Sequence, residues 1–513
     1  MADDLISILF NREMAWGLAS DGEPPAHFGD LNIDQVVDGV GGRRSSYELA
    51  SFFHLPLDDL EQIGLRQEVF RDLYSSEIFD PVERFSKDMQ LCTAFLERSK
   101  KLYNARQKQR WFLDAAGLYS NAVSELAGSL SQLPLKSKLL GILVEYLESY
   151  VASAEFSTLK GESKELQSRF ARIRYNLLIK ANKITVIGYD GEDDFSEEVE
   201  KTFSRFRQGI GKDYRVNYGA WPDMNRVEEE ILEMVVRLNP EVFEALSRFC
   251  ITHSGFTDET ISRFDREVQF YLAYIEQMKE LEKVGLEFCY PVLSKDKKEF
   301  HITGGFDLAL AQRLVKDGKA AVRNDYSLLS SERVIVVSGP NSGGKTTYAR
   351  AFGQINYLAS LGCPVPAKKA ELFLCDQILT HFEREEDLDN LRGKLEDELV
   401  RIHRILSAAT ERSLIIMNES FGSTALGDAT LLGRSVLNQI IDLGATCLCV
   451  TFVDELSRLS DATVSIVAKV SPDDPTIRTF EMEQRPADGL AYAFAIAEKY
   501  RLTYENVRGR IAE

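Results

Sequence analysis

Val334 to Thr347 reads VIVVSGPNSGGKTT. Four β-branched residues in a row, Val334, Ile335, Val336 and Val337, predict a buried strand. The residues after it fit a phosphate-binding loop: Gly339, four spacers, then Gly344, Lys345 and Thr346. Glycines let the backbone turn so that its N–H groups face an anion. Lys345 can reach the β- and γ-phosphates, and the Thr346 hydroxyl can ligate a magnesium ion. Tyr348 to Leu361 reads as a helix whose N-terminus sits against the phosphates. Glycine-rich turns are common by themselves. A strand before, a helix after and the doubled glycine at Gly343–Gly344 make this one a nucleoside-triphosphate site. Its candidate cofactor-binding residues are Gly339, Pro340, Asn341, Ser342, Gly343, Gly344, Lys345, Thr346 and Thr347.

The second half of such a site is expected about 70 residues downstream. Leu414 to Met417 (LIIM) predicts another buried strand, followed by Asn418 and Glu419. P-loop ATPases commonly end this strand with two acids, the first holding the magnesium shell and the second polarising the attacking water. Here Glu419 is present and Asn418 replaces the first acid. An amide still offers oxygen but removes a negative charge near the metal, so weaker magnesium binding or slower turnover is expected. Glu419 and Lys345 are the candidate catalytic groups, and Thr346 and Asn418 the candidate metal-shell residues. Thr446 to Thr451 (TCLCVT) predicts a third strand ending at Phe452, and Ser420 to Asp428 a turn suited to lining a site.

The remaining sequence bounds the protein more loosely. Its 513 residues predict two to four domains, and 44% hydrophobic with 27% charged residues fits a soluble protein. No apolar run approaches the ~18 residues of a membrane span, so no membrane partner is expected. The acidic start MADDLISILF differs from a secretory signal. Seven scattered cysteines without a CxxC pair fit a reducing, cytoplasmic compartment, with Cys447 and Cys449 as small core residues in a strand. A net charge of −19 excludes a surface coated for nucleic acid but not a localised basic track.

Such tracks occur. Residues 1 to about 40 read as a short helix and a turn-rich linker (Gly22, Pro24, Pro25, Gly29), and helical pattern follows. Arg98 to Arg110 is basic, and is read first as a solvated helix face. Leu140, Val144, Leu147 and Val151 predict a long amphipathic helix continuing through Ser168 to Lys183, which carries Arg169, Arg172, Arg174, Lys180 and Lys183. Lys183 to Tyr189 reads as a strand, an acidic run follows, and Lys201, Arg205, Arg207, Lys212 and Arg215 restore positive charge. Phosphates would be drawn to these blocks; a plain charged surface explains them equally, since no base-reading motif is present. Val268, Leu272, Ile275, Met278 and Leu281 predict a returning helix. Short strands are predicted at Phe300–Thr303 and Ala320–Arg323, and a packing stripe along Leu388–Leu406.

Together these phrases resemble the MutS family of DNA mismatch-repair ATPases. SGPNSGGKTTYAR (Ser338–Arg350), GCPVPA (Gly362–Ala367), NESFGSTALGD (Asn418–Asp428), TFVDEL (Thr451–Leu456) and GLAYAFAIA (Gly489–Ala497) carry the resemblance. Asn324 and Asp325 match the family's asparagine–aspartate step near the nucleotide, which adds Asn324 to the cofactor-binding set. LPLDDLEQIGLRQEVF (Leu55–Phe70) resembles the start of the family's lever domain. The resemblance implies a multidomain fold: a mostly α-helical lever and clamp region, then an α/β P-loop (ABC-like) ATPase domain. The implied division is 1–40 helix and linker, 41–285 lever with a clamp insertion around 165–220, and 286–513 ATPase and dimerisation domain. It further implies ATP and Mg2+ as cofactors, a homodimer whose subunits complete each other's sites, and DNA contact through Arg169, Arg172, Arg174, Lys180, Lys183, Arg205 and Arg207. An ATP-gated clamp acting in mismatch repair or related DNA maintenance would follow.

The departures are specific. Only about 40 residues precede the lever region, so the family's mismatch-reading and connector domains, expected ahead of it, are expected to be missing and intrinsic mismatch reading with them. Asn418 stands for the strand-ending acid, Phe452 for the histidine after the third strand, and Gly393 for the serine of the trans-acting signature. Two alternatives therefore stand beside the clamp: a nucleotide-gated scaffold with little hydrolysis, or a MutS-like ATPase acting on a non-DNA partner.

Overall fold

A computed structural model describes residues 6–9, 24–180, 183–191, 224–383, 393–471 and 477–487, with 502, 504 and 508. Contacts divide the chain into two compact units. The first comprises Met1–Ser75, Lys136–Leu139 and Arg266–Glu513, and the second Ser76–Leu135 and Leu140–Asp265.

In chain order the helices up to the second unit are α1 (His27–Leu31), α2 (Ile33–Gly41) and α3 (Leu60–Tyr74). The second unit is built from α4 (Ser76–Lys101), α5 (Ala105–Leu130), α6 (Lys138–Ala152) and α7 (Ala154–Ala171), a hairpin of β1 (Tyr175–Lys180) and β2 (Lys183–Gly188), then α8 (Arg226–Leu238) and α9 (Pro240–Thr252). Helix α10 (Glu259–Glu282) follows. The long helix expected through Lys183 does not form. Ser153 caps a new helix, its hydroxyl accepting from Phe156 N–H, and α7 gives way to the β1–β2 hairpin. YNLLIK and KITVIG pair as antiparallel strands, the second being the strand expected from Lys183. Lys201, Arg205, Arg207, Lys212, Arg215, Leu388, Leu391 and the GLAYAFAIA phrase lie outside the described residues.

The first unit continues with β3 (Val292–Ser294), β4 (Phe300–Gly305), α11 (Leu308–Leu314), β5 (Asn324–Leu328) and β6 (Val334–Ser338). Then come α12 (Lys345–Ser360), β7 (Lys369–Phe373), β8 (Ile378–Phe382), α13 (Lys394–Ala408), β9 (Leu414–Asn418), α14 (Leu426–Leu443), β10 (Thr446–Val450), β11 (Thr463–Val470) and β12 (Arg478–Gln484). The strand expected at Ala320–Arg323 lies instead at Asn324–Leu328, where Tyr326 and Leu328 are buried while Val322 is exposed.

Six strands form one sheet in the order β12-β11-β6-β10-β9-β8, parallel except for the β12 edge. Every residue of β6, β9 and β10 is buried, which explains their uninterrupted apolar runs: a parallel sheet is covered on both faces. Side chains alternate between those faces. Val334, Val336, Ile415, Met417, Cys447 and Cys449 share a cluster with Ile402 of α13 and Val436, Leu437 and Ile440 of α14. The two cysteines are thus core residues, with Cys449 pushed up to about 12 by burial. A second sheet, β3-β7-β4-β5, is joined to α12 through β5: Tyr326 stacks on Tyr348 at 4.1 Å, and each hydroxyl donates to a carbonyl of the other element.

The expected N-terminal linker is partly helical, because its apolar residues find a surface. Gly29 lies within α1, and Phe28, Leu31, Ile33, Val36 and Val37 are buried. Helix α1 lies on α12: Gln354 Nε2 donates to Leu31 O and Arg350 Nε to Asp30 O, both at 2.8–2.9 Å. Gly353 makes the approach possible. A Cβ there would meet Leu31 Cδ1 at 2.7 Å and Ile416 Cδ1 at 2.8 Å. With both neighbours buried, Gly353→Ala is expected to destabilise this unit by about 1–3 kcal/mol through overpacking. A lowered denaturation midpoint at unchanged denaturant slope checks it.

Candidate nucleotide site

Strand β6 is central, and its two neighbours, β10 and β11, both come from later in the chain. Its carboxyl end is therefore where loops from several strands converge, the usual place for a ligand in an open α/β sheet. The loop after β6 turns on two left-handed glycines. Gly339 has φ +114°, with Ala468 of β11 so near that a Cβ would lie 3.1 Å from it. Gly344 has φ +93° and caps α12, leaving the first N–H groups of that helix open to an anion.

Lys345 is 5% exposed. Its Nζ donates to Gly339 O at 2.9 Å and Pro340 O at 3.1 Å, curling back over its own loop. Burial lowers its pKa, while Glu419 and Asp454 favour its charge. Thr346 Oγ1 donates to Asn418 Oδ1 at 3.1 Å, so the P-loop and the end of β9 meet although β10 lies between their strands. Glu419 follows at φ +54°, its N–H bonded to Val450 O at 2.9 Å.

A cavity of about 510 Å³ opens here, large enough for a nucleotide. Ser342, Gly343, Gly344, Lys345, Thr346, Thr347, Glu419 and Asn324 line it. Gly339, Pro340 and Asn341 lie behind that lining: the first two hold Lys345, and Asn341 O accepts from Arg478 Nε at 3.3 Å. Phe452, beyond β10, is 46% exposed. Gly393 caps α13 without a side-chain bond, and Lys394 pairs with Glu383.

The opposite wall was not legible in the sequence. Leu310, Leu314, Val322 and Phe480 give the cavity an apolar side suited to a base. Phe480 takes a left-handed φ of +62°. The side chain of Asn324 holds it there, donating from Nδ2 to Phe480 O at 3.1 Å and accepting Met482 N–H at 2.7 Å. Both ends of the Asn324 amide are thus engaged with β12, so it shapes the wall. Asp325 is engaged as well, accepting Gly304 N–H at 2.7 Å. No spacing rule links residue 324 to 480; only the folded edge strand does.

The glycine cradle, buried cation and open helix N-terminus fit a nucleotide's phosphates. Thr346 and Asn418 offer hard oxygens of the kind magnesium takes, with Glu419 the nearby carboxylate of the lining. Among the described residues no three His, Cys, Asp or Glu side chains gather into a metal cluster. No helix among them is long and apolar enough to cross a membrane.

Fold and site thus define a P-loop nucleotide-binding domain. Comparison narrows the class: residues 335–500 match the family model of MutS domain V. The chain is 27% identical over 279 residues to the DNA mismatch repair protein MutS of Bacillus cytotoxicus, covering 52% of this chain and 30% of that protein. It is 31% identical over 263 residues to DNA mismatch repair protein MutS 2 of Halobacterium salinarum, covering 49% and 29%. Against MutS of Chlorobium phaeovibrioides the figures are 30% over 253 residues, 48% and 28%. About half of this chain is therefore MutS-like, and the match spans less than a third of the length of those curated relatives.

Lys345→Ala is expected to abolish ATP binding with the fold retained; retained affinity for a fluorescent ATP analogue would refute the loop's assignment. Phe480→Ala should weaken that affinity about tenfold through lost base contact. Asn324→Ala should weaken it in the same direction by releasing Phe480, while inorganic triphosphate binding stays unchanged in both.

Proposed function

We propose that this chain is a MutS-like ATPase whose nucleotide state gates a clamp on DNA. The carrying observation is the Thr346–Asn418 contact at the edge of a cavity lined by Thr346, Lys345 and Glu419, within a region similar to MutS domain V. Lys345 and the P-loop N–H groups bind the phosphates, and binding draws Lys345 Nζ off the Gly339 and Pro340 carbonyls. Thr346 and Asn418 would hold magnesium, which supplies charge neutralisation at the β- and γ-phosphates. Glu419 orients the attacking water and accepts its proton. Phe480 and the leucines of α11 seat the base.

The second unit supplies the lever and clamp in this reading. Its two-stranded hairpin carries Lys180 and Lys183 exposed, and Arg172 and Arg174 are exposed between α7 and β1, with Arg174 over the Tyr189 ring at 5.8 Å, while Arg169 is half-buried beside Glu165. Those exposed cations meet phosphates without reading bases, so shape selects the DNA. The ATPase units pair head to tail in a homodimer, in which α13 approaches the partner's nucleotide. Asn418, the exposed Phe452 and Gly393 favour the other reading, a nucleotide-gated scaffold that scarcely hydrolyses.

Steady-state turnover separates the two. Glu419→Gln is expected to lower turnover by about 100-fold or more with nucleotide affinity kept. Asn418→Asp should reduce the magnesium concentration needed for half-maximal rate. A wild type no faster than Glu419→Gln, yet still binding ATP, excludes the enzyme. Salt titration against branched, duplex and single-stranded DNA tests the clamp, and no affinity at low salt for any of them excludes it.

A further inference from the structure

The loop carrying Glu419 is held in an unfavourable shape. Glu419 and Phe421 both adopt left-handed φ, +54° and +64°, and neither is glycine. Each such residue costs about 1–2 kcal/mol, so the shape persists only where surrounding contacts over-determine it. Two anchors are plain: Glu419 N–H bonds to Val450 O, and the Phe421 ring is 2% exposed within the sheet–α13–α14 core.

A third comes from α13. Glu398 is 2% exposed, and its Oε2 accepts the Ser423 hydroxyl at 3.3 Å. Its Oε1 lies 3.9 Å from Nε2 of His381, on β8 and 1% exposed. Burial alone would raise the Glu398 carboxyl, but His381, Ser423 and the Phe421 N–H together outweigh it and hold the group below the usual carboxylate range. A carboxylate buried this deeply needs such partners. His381 sits beside Met417 of β9, one residue before Asn418. Glu398 thus ties the loop that begins at Glu419 through Ser423, and His381 flanks that carboxylate from β8, neither of them lining the cavity itself.

We propose that the buried Glu398–His381 pair is a positioning device for Glu419, fixing the 419–423 loop so that the carboxylate faces the phosphates. It rests on the ATPase reading for its effect on rate, though not for its effect on the loop. Two measurements test it together: turnover with nucleotide affinity, and hydrogen–deuterium exchange over 418–424. In Glu398→Gln, kcat is expected to fall about tenfold or more, as small misplacement of a catalytic group does, with nucleotide affinity within about twofold of wild type. Exchange over 419–423 should accelerate. His381→Leu should behave alike, the double variant should be no worse than the poorer single one, and His381→Arg, which keeps a side-chain N–H donor, should retain more turnover than His381→Leu.

Unchanged exchange in Glu398→Gln overturns the proposal. So does full turnover in that variant when the wild type hydrolyses ATP. A wild type that binds ATP without turnover removes the ATPase reading alone, and loop exchange still decides this one. Should Glu398→Gln fail to fold, equal turnover and equal exchange in His381→Arg and His381→Leu overturn it.

Discussion

The contact from Thr346 to Asn418 depends on a single constraint: β10 must lie between β6 and β9, and all three must be buried on both faces. Only then do the two loops leave the sheet at one edge, close enough for a 3.1 Å hydrogen bond across 72 residues of sequence. The same arrangement leaves room at that edge for phosphates. Core packing and site geometry are here one requirement, because the residues that bury the strands also set where they end.

The cavity has two sides of different character. Its polar side is the P-loop and the start of a helix, with Gly344, Thr346 and Glu419 in the lining and Lys345 parked on the Gly339 and Pro340 carbonyls. Its apolar side is assembled from α11, the segment before β5 and the antiparallel edge strand β12. Asn324 connects them by spending its whole amide on the backbone around Phe480. A residue that resemblance assigned to the nucleotide thus works by shaping the wall beside it.

Strain recurs around this site. Ser342, Glu419, Phe421 and Phe480 all have positive φ without being glycine, and three of these four line the cavity. Such conformations cluster where a backbone must aim a group that regular structure would point elsewhere. Glu419, Phe421 and Phe480 are tied by nearby contacts, which for the Glu419 loop reach back to α13.

The sequence by itself determined the P-loop, its strand and helix, the Asn418–Glu419 pair and the buried central strands. These signals are local: apolar runs and glycine spacing act within a few residues, so they survive being read along a line. Strand β1 reads as the end of a helix, because basic residues say nothing about backbone and its apolar residues fall in a run, whereas Lys183–Tyr189 reads as the strand that β2 forms. Helix α1 looked like linker because its apolar face has meaning only against α12, where Gly353 leaves space for Leu31. Tertiary structure alone decided the base-side wall, the role of Asn324 and the Glu398–His381 grip. Each joins residues far apart in sequence, and no periodicity records which buried polar group will meet which.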